Sequence, residues 1–152
     1  MAGQLFNGIP IPLVASAAVT TSSNSGNLKN TSLAFPICEA AAIILDVTAL
    51  AGVSGVTLDV DIQTSPDNGT TWYTAFEFAN VATSTAQRRL DIRDSGIGIT
   101  EVGFEGDIKT AAAIKNNTVL TQDIRIRWRP NGSGATTTFA VWGIFQPIGT
   151  KT

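Results

Sequence analysis

The sequence predicts an all-β fold: a single β-sandwich, jelly-roll-like, with an extended N-terminal arm and one long irregular connection. Three observations point there. Several stretches alternate apolar and polar residues at period two, as strands with one buried face do. Turn residues punctuate those stretches, as in "AGVSG" and "SPDNGTTW". The 152 residues suffice for one domain with a sizeable core, and no heptad or internal repeat competes with that reading.

The elements follow in order. Residues 1–35 are assigned to the arm and residues 36–152 to the sandwich. In the arm, Pro10 and Pro12 alternate with Ile9 and Ile11, which favours an extended path. Lys29 is its only charge, and a Ser/Thr/Asn/Gly tract follows the prolines. Such composition has little reason to fold alone. Leu5, Phe6, Ile9 and Ile11 therefore form an apolar strip suited to a groove on a neighbouring subunit or another partner.

From Ala41 the β signal is clear. "AIILDVTAL" sends Ile43, Leu45 and Val47 one way and Asp46 and Thr48 the other. "GVTLDVDIQT" sends Val56, Leu58, Val60 and Ile62 inward and Thr57, Asp59, Asp61 and Gln63 outward. The glycines of "AGVSG" suggest a short hairpin loop between these two strands. "TWYTAFEF" places Trp72, Phe76 and Phe78 at period two, facing the core. Between Asn80 and Asn117 the pattern weakens. A short strand fits around Leu90 and Ile92, another fits "IGITEVGFEG", and "IKTAAAIK" has helical preference. "DIRIRWR" alternates Ile124, Ile126 and Trp128 with Arg125, Arg127 and Arg129. "TTFAVWGIFQP" is apolar on both faces, as a central strand or one covered by a neighbouring subunit would be. Phe139, Val141 and Phe145 are expected inward, with Trp142 and Ile144 meeting a neighbour.

Composition narrows the chemistry. Histidine is absent, which removes the commonest general base and metal ligand and every Ser-His-Asp or Cys-His scheme. Cys38 is the only cysteine, so neither an intrachain disulfide nor a Cys-rich zinc site can form. Its apolar neighbours suggest a small buried hydrophobe. Charged residues make up 14% of the chain, against roughly 25% in an average protein. The net charge of −2 offers no attraction for nucleic acid or an anionic membrane, and no run approaches the length of a membrane span. No positive region precedes the first apolar stretch, which argues against a secretory signal.

In "SPDNGTTW" every residue has a task in a turn. Pro66 presets φ, Asp67 can accept N–H bonds from the residues after it, Gly69 supplies positive φ, and Trp72 anchors the return strand. Ser65, Asp67, Gly69, Thr71 and Trp72 fill the fixed positions of S-x-D-x-G-x-T-W, and the stretch so resembles the Asp-box of sialidases. In that family the box lies on hairpin turns remote from catalysis and recurs through a propeller. Here it occurs once, in a chain too short for the usual propeller.

A second resemblance spans Ala41 to Pro147, with a gap at the long connection. The order "IILDVTAL…GVTLDVDIQTSPDNGTTWYTAFEF…DIRIRWRPNG…TFAVWGIFQP" is similar to small all-β structural proteins of tailed bacteriophages, most of all capsid decoration (cement) proteins. The resemblance implies a homotrimer on the virion's capsid surface, with the major capsid protein as partner, no catalytic site and no cofactor or metal. It also leaves room for another virion part, such as a head fibre base, neck or tail protein. A carbohydrate-binding module is the alternative from a different class, with Trp72, Trp128 and Trp142 as its stacking residues.

Two charged constellations have plainer readings. Eight of the ten basic residues lie between Arg88 and Arg129, but six acidic residues lie among them. The stripe Arg125, Arg127 and Arg129 is therefore expected to pair across strands with Asp59 and Asp61 rather than bind a polyanion. Glu101, Glu105 and Asp107 lack calcium-loop spacing and read as a solvated face rather than a metal site or glycosidase pair.

Overall fold

Nine strands follow one another among the described residues. They are β1 (Ile11–Val19), β2 (Ser23–Asn24), β3 (Cys38–Ala51), β4 (Ser54–Thr64), β5 (Tyr73–Glu77), β6 (Ala86–Arg93), β7 (Ile114–Lys115), β8 (Ile124–Ser133) and β9 (Thr136–Pro147). One turn of 3-10 helix, Leu28–Asn30, follows β2. The computed structural model describes residues 10–30, 38–78, 80–82, 85–93, 114–115 and 123–147. The expectations for Leu5, Phe6 and Ile9, for a strand in "IGITEVGFEG", for Glu101, Glu105 and Asp107, and for the Cys38 and Phe145 side chains lie outside what is described.

Two antiparallel sheets result, ordered β1-β9-β3-β6 and β2-β8-β4-β5-β7. With the two-residue β7 set aside, this is the order of a jelly roll. The chain changes sheet at most steps, and β4 and β5 are the only consecutive strands that pair among the described residues. Alternation explains the core between the sheets. Ile43, Leu45 and Val47 of β3 and Phe139 and Val141 of β9 meet Leu58, Val60 and Ile62 of β4, Phe76 of β5 and Ile124 and Ile126 of β8. Trp128 packs there as expected, edge-on to Phe139 with ring centroids 5.6 Å apart.

Three expectations need correction. The loop "AGVSG" is no hairpin: β3 and β4 lie in different sheets, and the chain turns a corner between them. β8 and β9 turn a second corner beside it, with Ala51 opposite Thr136 and Ser54 opposite Ser133. The Val53 amide donates to the Ser133 carbonyl at 2.9 Å and locks the corners together. Gly132 sits there at φ +105°, where a Cβ would lie 2.8 Å from the Gly55 carbonyl oxygen. A turn-rich linker between two alternating runs fits a hairpin and a corner equally well.

The arm is also shorter than expected. Ile11–Val19 is an edge strand of the sandwich, paired with β9 from Ile11 opposite Gly143 to Val19 opposite Thr137. Leu13 and Leu28 are buried in the core, and Ile11 packs against it rather than lying free for a partner. Two register shifts, at Pro12/Val14 and Val14/Ala17, break the period-two signal and hid this strand. Finally, Ile114 and Lys115, the end of the stretch expected to be helical, pair as strand with Glu77 and Phe76.

Pro130 illustrates how the ladder tolerates a missing donor. It stands opposite Leu58. The Leu58 amide and carbonyl both bond instead to Val81, at 2.9 and 3.0 Å. Among the described residues β2 covers β8 only at Arg127 and Trp128, and none of them pairs with Pro130 on its other side.

Candidate functional site

The outer face of the second sheet carries the charged residues. Alternation along β8 sends Arg125, Arg127 and Arg129 outward, opposite Gln63, Asp61 and Asp59 of β4 in register. A bulge in β5 then changes which residues join them. Ile62 pairs with Phe76 but Gln63 pairs with Thr74, so Ala75 is the extra residue. The bulge reverses the parity of the strand. Thr74 and Glu77 share the outer face, and Trp72 joins them instead of following Phe76 inward. This corrects the expected core position of Trp72: it is half-buried, with the Arg125 guanidinium 4.5 Å above its ring centre.

The charges meet across the strands, though Asp61 Oδ1 and the Nε atoms of Arg127 and Arg129 are buried without a hydrogen-bond partner. Arg127 Nη2 donates to Asp61 Oδ2, and Arg129 Nη2 lies 3.8 Å from Asp61 Oδ1 and 3.7 Å from Glu77 Oε1. The Thr74 hydroxyl donates to Asp61 Oδ2 at 3.3 Å. Arg125 Nε donates to Gln63 Oε1 at 2.7 Å. Asp59 accepts from Asn80 at 2.6 Å and from Asn131 at 2.9 Å. Asp61 is only 1% exposed, so the long arginine stems cover it as well as neutralise it. Burial, then the Asp61 and Asp59 charges, push the Glu77 carboxyl above its ordinary range. Burial, then Arg127, press the Arg125 guanidinium down. The result is a cross-strand lattice in which Arg127 and Arg129 meet Asp61 and Glu77, while Asp59 and Arg125 bond to amide side chains.

The "SPDNGTTW" turn closes this face at one end. The Ser65 hydroxyl donates to Asp67 Oδ1 at 2.8 Å and accepts the Gly69 amide at 2.8 Å. Asp67 Oδ1 accepts the Thr71 amide at 2.7 Å, and the Trp72 indole donates to the Gly69 carbonyl at 3.0 Å. Asn68 and Gly69 take the positive φ values, 63° and 88°. The Thr71 hydroxyl, the Thr71 amide and the Ser65 hydroxyl hold the Asp67 carboxyl down to about 2. All five Asp-box positions are therefore engaged inside the turn.

Sequence reasoning missed the residues that dock the turn. Asp123, 4% exposed, takes the Ser65 amide on its carbonyl and the Asn27 side chain on its carboxylate, at 3.0 and 2.7 Å. Lys29 bridges Asp123 and Asn68, at 3.6 and 2.7 Å. No local pattern marks these contacts, because Asn27 and Asp123 are 96 residues apart.

The outer face of the first sheet is apolar at its centre. Pro12, Trp142 and Ile44 stand in one row across β1, β9 and β3, and Ile144 lies beside Ala42 in a neighbouring row. Pro12 is exposed; Trp142, Ile44 and Ile144 are half-buried. Trp142 and Ile144 thus face away from the core while Phe139 and Val141 fill it. Among the described residues, no group of three or more His, Cys, Asp or Glu side chains could hold a metal ion, and no helix is long and apolar enough to cross a membrane. Comparison with protein-family models, curated proteins and solved structures finds no match.

Proposed function

We propose that the protein is a non-enzymatic structural component of a phage virion, a capsid decoration (cement) protein that binds between capsomers and stabilises the head. The observation that carries this reading is the row of apolar side chains Pro12, Trp142 and Ile44 on the outer face of the first sheet. A tryptophan held half-exposed at the centre of a sheet face suits a contact with another polypeptide. On the opposite face the arginines are turned to carboxylates and amides of the neighbouring strands, which favours a structural use of that face over substrate binding. The jelly roll is used by viral capsid proteins, a supporting analogy at the level of fold.

The mechanism is linkage. A ligand that binds the assembled shell and not its dissociated parts stabilises the shell. A homotrimer would engage several capsid protein sites at once and gain avidity without stronger single contacts. The test has two parts. Sedimentation equilibrium of the isolated protein should give a trimer. Electron microscopy of the purified particle should place the chain on the capsid surface, with occupancy lost in Trp142→Ser while the sandwich stays folded. A monomer that decorates nothing, or density at the neck or tail, would overturn the decoration reading.

A further inference from the structure

Arg88 points the wrong way for a charged residue. In β6 it stands opposite Leu45, whose side chain is fully buried, and Ala86 stands opposite Val47 on the same inward face. Arg88 is 8% exposed, and its Nε and Nη1 are buried without a hydrogen-bond partner. A guanidinium cannot shed its charge to relieve this, and an uncompensated buried charge is among the most unfavourable arrangements in a protein. Arg127 and Arg129 also have a buried, unpartnered Nε, but each has a carboxylate within ion-pair reach of Nη2, and Arg88 has none among the described residues. Position matters too. Among the described residues β6 is the last strand of its sheet, so there Arg88 lies at the side of the sandwich rather than between two strands of its own sheet.

We propose that Arg88 is the receptor for a carboxylate on a partner polypeptide, an aspartate or glutamate side chain inserted at the β6 side of the sandwich. The planar guanidinium matches a carboxylate with two parallel hydrogen bonds. One guanidinium also neutralises one carboxylate, whereas a phosphate dianion would leave excess charge in an apolar layer. An extended segment lying beside β6 would bring its opposed side chain to about 5 Å from Arg88, Cβ to Cβ. The proposal does not depend on the partner being a capsid.

The test uses the full chain with acetate as the probe, at constant ionic strength against chloride. Arg88→Met keeps the stem and removes the charge. In chloride R88M should melt above the wild type, because the wild type buries an unpaired cation. Acetate should raise the melting temperature of the wild type and leave that of R88M unchanged. The Arg88 Nε–H resonance, identified by its disappearance in R88M, should shift as acetate is added. An R88M protein that melts lower in chloride, with a resonance unmoved by acetate, would mean that Arg88 is already paired within its own chain and would overturn the proposal. Stronger stabilisation by phosphate than by acetate would overturn the carboxylate assignment. Should R88M not fold, Arg88→Lys identifies the same resonance and the acetate titration decides.

Discussion

Ser65 and Asp67 divide the work of one turn, and their substitutions separate the parts. Ser65 is 1% exposed, so Ser65→Ala strands the Gly69 amide and should cost about 1–3 kcal/mol, read by urea unfolding. Asp67 is a matter of pH. Its folded-state carboxyl is held from 3.8 down to about 2, so its contribution is complete above the upper value and is lost as pH falls through the lower. Glu77 acts with the opposite sign. Its carboxyl is raised above 4.5, so protonation favours the folded state and stability should rise as pH falls through the interval just above that value. Unfolding measured across acid pH should show a small rise and then a fall. Glu77→Gln should remove the rise, and Asp67→Asn should flatten the fall. On the lattice, Arg127→Met leaves the buried Asp61 with weaker partners. Since Arg127 is itself a third exposed, the expected loss is about 2–3 kcal/mol, checked by the same unfolding curves.

At the scale of elements, the corners and the edge strand are the sensitive parts. Gly132→Ala meets backbone atoms on three sides and should cost at least about 2 kcal/mol. Gly55→Ala faces open space at φ +59° and should cost only the left-handed strain, about 1–2 kcal/mol. Comparing the two melting temperatures isolates the packing of one corner on the other. Leu13→Ala should lose about 2–3 kcal/mol, at the low end for a buried leucine because β1 is an edge. A chain lacking residues 2–9 should melt like the full chain if those residues serve only attachment. Removal as far as residue 14 would also take half of β1. These cases show what could be read in advance. β3, β4 and β8 carry alternation over many residues, so their identity and their inward faces were legible; β9 was legible as a strand apolar on both faces, and β6 only as a short strand around Leu90 and Ile92. The cross-strand pairing of Arg127 and Arg129 with Asp61 and Asp59 was legible too, since both strands are regular. β1 was not, because its two bulges break the period, and Trp72 was misplaced because a bulge at Ala75 flips parity. The corner at Gly52 and Val53 was misread because glycines mark a reversal without saying which sheet the chain enters next. Asp123 belongs to the turn only through tertiary contact, and no sequence pattern reports that.

The whole molecule is held together by its most distant parts. β9 lies between β1 and β3, so the first sheet has no continuous middle without it. A chain ending at Ser133 should therefore fail to fold, read as loss of near-ultraviolet dichroism and of dispersed amide resonances. Pairing of the first strand with the last also gives a high share of non-local contacts, and folding is expected on the millisecond-to-second scale typical of such topologies. The consequence reaches back to translation. While the ribosome is still adding the residues up to Pro147, β1 and β3 wait with the place between them vacant. An incomplete nascent chain thus lacks the Trp142 row as well as its fold, and only a molecule translated through β9 can present that surface to a partner.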